Sequence, residues 1–65
     1  MEEKYFVELT YNDDSCASFD VTLSDSHSSN LALLMMIVRG TLMASMARSI
    51  CAYDEEGFSV VAYYK

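Results

Sequence analysis

Apolar and polar side chains alternate over residues 4–11, KYFVELTY, where Tyr5, Val7, Leu9 and Tyr11 share one face and Phe6, Glu8 and Thr10 the other. A period of two is the signature of a strand with one face covered. Residues 17–23, ASFDVTL, repeat it, with Ala17, Phe19, Val21 and Leu23 on one side and Ser18, Asp20 and Thr22 on the other. Between the two runs stand Asn12, Asp13, Asp14 and Ser15, short polar residues that bond their own backbone and tolerate left-handed conformations. The pattern predicts a β-hairpin. The period then changes. Leu31, Leu34, Met35, Val38, Leu42 and Met46 recur every three or four residues, the spacing of one face of a helix. Ser24–Asn30 offers several capping residues in front of it. The helix is expected over residues 26–47. Two short runs close the chain, SICAY at 49–53 and FSVVAYY at 58–64, separated by Asp54, Glu55, Glu56 and Gly57. β-branched and aromatic residues make the last run a strand, and four turn residues before it make a second hairpin.

These elements predict an α+β fold: a small ββαββ single domain, residues 1–65, with an antiparallel sheet covered on one face by one helix. The covered face is expected to collect Tyr5, Val7, Leu9, Phe19, Val21, Leu23, Phe58, Val60 and Ala62.

The helical stretch carries more apolar surface than one sheet can cover. If the Leu34, Val38 and Leu42 side packs inward, Leu33, Met36 and Ile37 point to water and expose on the order of 300 Å², a patch large enough on a small protein to suggest a partner. Gly40, in mid-helix, costs about 1 kcal/mol relative to alanine, which points to a close approach of another backbone. With Ala44, Ala47 and Cys51 it would form a ridge of small side chains. Leu33, Met36, Ile37, Gly40 and Ala44 are therefore the expected oligomer interface, and the protein itself the first expected partner, as a homodimer or a larger assembly. Methionine is the adaptable residue of cores and of promiscuous surfaces, and Met35, Met36, Met43 and Met46 all fall in this stretch.

Length sharpens the argument. A chain of 65 residues buries only about 60% of its unfolded surface and ends near zero stability unless something is added. Two cysteines, Cys16 and Cys51, and one histidine, His27, provide neither a disulfide framework nor the paired spacing of a zinc site, and no secretory segment leads the sequence. No metal and no cofactor is expected, and the expected location is cytoplasmic.

Ten acids against four bases give a net charge of −6, which repels nucleic acid and anionic membranes. The four bases are scattered. A membrane span is disfavoured by Arg39 and Arg48, each costing roughly 2.5–3.5 kcal/mol near a bilayer centre.

Catalysis finds no support, because Asp25, His27 and the surrounding serines sit in one capping segment rather than converging from separate elements. No enzyme is expected. Two binding roles remain. Phe6, Val61 and Tyr63, placed on the outer sheet face, would anchor another protein while nearby acids favour a basic one. Asp54, Glu55 and Glu56 would join that partner surface. Alternatively, the turn acids imitate DNA phosphates, making the chain an acidic inhibitor of a nucleic-acid enzyme, encoded by a phage or mobile element.

Overall fold

A computed structural model describes residues 2–65 and arranges them as β1 (Glu3–Tyr11), β2 (Cys16–Leu23), α1 (His27–Ala44), β3 (Ala47–Tyr53) and β4 (Ser59–Tyr64). The expected α+β ββαββ arrangement is the one observed. The strands form one antiparallel sheet in the order β2-β1-β3-β4. β2 and β3 flank β1 and run in the same direction, so α1 is the crossover that carries the chain over the central strand.

Both hairpins turn by the same device. In the first, Tyr11 N donates to Ser15 O and Asp14 N to Tyr11 O, with Asp14 at φ 68°. In the second, Asp54 N donates to Phe58 O and Gly57 N to Asp54 O, with Gly57 at φ 89°. The side chains reinforce the backbone: Asp13 Oδ1 accepts from Ser15 N, and Asp54 Oδ1 accepts from Glu56 N and Phe58 N. Polar residues at these positions thus replace backbone partners that the strands no longer supply.

The helix is shorter than its apolar run. Ser26 is the N-cap, its hydroxyl accepting from Ser29 N and its carbonyl from Asn30 N. Ser45 turns extended at the other end, leaving only Ser45 and Met46 between α1 and β3. Two changes to the expected outline follow. The third strand begins at Ala47, and the fourth begins at Ser59 with Phe58 exposed ahead of it. The small-residue ridge is likewise cut short: Ala47 and Cys51 belong to β3, and only Gly40 and Ala44 stand on the helix.

The core forms where the inner faces of β1, β3 and β4 meet one stripe of α1. Tyr5, Val7 and Leu9 from β1, Ala47, Ile50 and Ala52 from β3 and Val61 from β4 close against Leu34, Val38 and Leu42. β4 departs from the simple alternation. Ala52 faces Val61 but Tyr53 faces Ser59, so Val60 is an extra residue that shifts the phase. Val61, 8% exposed, therefore points inward in place of Ala62, which is exposed. A similar extra residue at Arg48 in β3 lets both Ala47 and Ile50 face the core.

Candidate functional site

Helical geometry places two apolar stripes back to back on α1. At 3.6 residues per turn, Leu34, Val38 and Leu42 form the stripe that meets the sheet. Leu33, Met36, Gly40 and Met43, spaced three, four and three apart, lie on the opposite side. Leu33 is 42% exposed, and Met36 and Met43 are each 72% exposed. A β-carbon added at Gly40 would meet nothing within 4 Å, so this part of the stripe faces open space and no backbone of the same chain approaches it. The expected interface residues Leu33, Met36, Gly40 and Ala44 thus stand in solvent, and Ile37 is half-buried on the flank. Met43 completes the stripe. The three-four-three spacing that reveals it was present in the sequence.

The sheet has a matching bare region. α1 packs against β4, β3 and β1, leaving the Ala17 and Phe19 part of the helix-side face of β2 uncovered while Val21 and Leu23 pack against the core. Phe19 shows this most clearly. It is paired with the fully buried Val7 and shares its face, yet remains 38% exposed. Val21 is half-buried and Ala17 exposed.

The outer sheet face does not carry the expected cluster. β3 separates β1 from β4, so Phe6 is remote from the last strand, Val61 points into the core and Tyr63 packs against it. Phe6 instead faces Tyr53 across the strands and lies beside Asp20, in a shallow groove with Glu8 and Ser18. Lys4 bridges to Asp20 at 3.4 Å and stands 5.7 Å from the centre of the Phe6 ring.

Charge is segregated along the strands. The start of β1, the end of β2 and the β3–β4 turn share one end of the sheet, which gathers Glu2, Glu3, Asp25, Asp54, Glu55 and Glu56. Ten acids less these six leave Glu8, Asp13, Asp14 and Asp20. Lys4 stands at that end too, so six acids and one base give it −5 of the net −6. Five of the six acids, with Lys4, Tyr5, His27 and Val60, line an open cleft of about 330 Å³. At the far end Arg48 pairs with Asp14 at 2.7 Å.

One polar residue is fully buried among the described ones, Asn30. Its Nδ2 donates to Glu3 Oε1 at 2.7 Å, to Asp25 O at 3.1 Å and to Leu23 O at 3.4 Å, and its Oδ1 accepts from Asp25 N at 3.0 Å. Glu3 Oε1 also accepts from the Tyr5 hydroxyl, while Oε2 lies 2.8 Å from His27 Nδ1. The Asn30 and His27 hydrogen bonds hold the Glu3 carboxyl below its ordinary range, and burial together with the Glu3 carboxylate pushes the Tyr5 phenol up. Every member of this cluster is occupied in fastening the start of α1 to β1, so the group is structural.

Among the described residues no set of three or more His, Cys, Asp or Glu side chains could hold a metal ion, and no helix is long and apolar enough to cross a membrane. Cys16 and Cys51 are free, and β1 lies between their strands, holding them farther apart than a disulfide spans. Compared with family models, with curated proteins and with solved structures, the chain matches none.

Proposed function

We propose that this protein is a small acidic interaction module without catalytic activity of its own, working in the cytoplasm as a homodimer joined through the outer stripe of α1. The observation that carries the proposal is the second apolar stripe, Leu33, Met36, Gly40 and Met43, exposed on a helix whose opposite stripe already fills the core. With roughly 150–200 Å² on a full large apolar side chain, the exposed fractions of Phe19, Leu33, Met35, Met36 and Met43 leave on the order of 500 Å² of apolar surface on the helix side of the sheet. A standard interface buries about 800 Å² per partner, a little over half of it non-polar, so one such surface is about what a stable dimer needs.

Light scattering coupled to chromatography tests this. The wild-type chain is expected at twice the 7.3 kDa of one copy, and Met36→Asp at one copy with its circular dichroism unchanged. A wild type that stays at 7.3 kDa at several hundred micromolar overturns the proposal.

A second reading draws on the acidic end. Six acids at one pole suit a basic partner surface, including the nucleic-acid groove of an enzyme that the protein would inhibit. Competition with DNA for such an enzyme, lost on Glu55→Lys with Glu56→Lys, supports it; inhibition that ignores those changes removes it.

A further inference from the structure

The sheet is wider than its helix. Four strands about 4.8 Å apart make a surface about 19 Å across, and a helix with its side chains is about 10 Å wide, so the sheet has room for two helices and this chain provides one. The occupied half lies over β3, β4 and part of β1, and the vacant half over β2.

We infer that a second copy fills this vacancy: the outer stripe of α1 in each protomer seats on the bare part of the inner face of β2 in the other, so that two helices lie side by side between two sheets. The inference rests on the self-association proposed above and assigns the surface that receives the helix. Three observations support it. The outer helix stripe and the inner face of β2 lie on the same side of the sheet, so one two-fold axis lays each on the other at once, as an isologous contact requires. Pairing outer stripe with outer stripe would leave Phe19 bare in both copies, whereas the exchange covers Phe19 and Met36 together. Gly40 has open space above it and stands in the middle of the stripe, where the absence of a side chain lets a sheet come close.

Cross-linking decides the arrangement. Two single-cysteine chains, Phe19→Cys and Met36→Cys, each with Cys16→Ser and Cys51→Ser, are co-refolded and mildly oxidised, and the products are identified by peptide mass. The mixed 19–36 product is expected to form at least about tenfold faster than either same-residue product, since proximity sets the effective concentration of the thiols. In parallel, Phe19→Asp should raise the dimer dissociation constant about 30-fold or more, and Phe6→Asp, on the opposite face of the sheet, should leave it unchanged. A predominant 36–36 or 19–19 product, or a dimer indifferent to Phe19→Asp, overturns the seat on β2 while leaving self-association standing. A chain monomeric at several hundred micromolar overturns both.

Discussion

Asn30 Nδ2 and Glu3 Oε1 stand 2.7 Å apart and join the first turn of α1 to the first residue of β1, 27 positions earlier in the chain. Asn30 is wholly buried and all its side-chain polar atoms are bonded, so removing it takes a partner from Glu3 Oε1 and from the Leu23 and Asp25 backbone in a part-buried network. Asn30→Leu is expected to cost about 1–3 kcal/mol in denaturant unfolding, because a lost partner leaves the full desolvation penalty behind. An unchanged unfolding midpoint would show the bond network to be incidental.

The same carboxylate sets a pH dependence. Glu3 titrates lower in the folded chain than in the unfolded one, first through the Asn30 bond and then through His27. A depressed folded pKa contributes stability that is complete above the unfolded value, about 4.3, and fades as pH falls through the folded value. The stability gap between wild type and Glu3→Gln should therefore be widest near neutrality and narrow steadily below about pH 4. Thermal melts of both proteins across that window check the sign; a gap that widens with acid contradicts it.

Gly40 is expected to behave in opposite ways in the free and the associated chain. Its site is a helix interior with nothing within 4 Å, so in the monomeric Met36→Asp background Gly40→Ala should stabilise by about 1 kcal/mol. In the wild-type background the added methyl group stands on the proposed contact surface and should weaken association. Unfolding midpoints measured as a function of protein concentration separate the two effects.

Among the turn acids, Asp54 differs from its neighbours. Its Oδ1 accepts from two backbone N–H groups, whereas Glu55 and Glu56 are exposed at the rim of the cleft. Asp54→Ala should lower stability by about 1 kcal/mol, while Glu55→Gln with Glu56→Gln should stay within about 0.5 kcal/mol of wild type. Unfolding curves for the two variants check this, and the result decides which acids can be reversed in a partner assay without disturbing the hairpin.

Most of the fold was legible because its signals are local. Alternation placed β1 and β2, serine caps placed the start of α1, and the Asp-Glu-Glu-Gly turn placed the second hairpin. What failed to show depends on pairing between distant residues. The phase of β4 hangs on one extra residue, Val60, which carries no mark in the sequence and moves Val61 into the core. The strand order puts β3 between β1 and β4, so Phe6 and Tyr63 never meet. Asn30 reads as one more capping residue until Glu3 is brought beside it by the sheet. The outer helix stripe was readable from its spacing, though its fourth member, Met43, emerged only once the inner stripe was known.

The uneven spread of charge also bears on how two molecules meet. Each copy is a rod with one strongly negative pole and a nearly neutral opposite pole. Two such rods approaching face to face repel when the negative poles coincide and lose most of that repulsion when they are reversed, a preference felt most at low ionic strength. That preference works against the exchange of α1 onto β2, whose two-fold axis runs along the strands and brings the negative poles together, so raising the salt concentration should tighten that dimer.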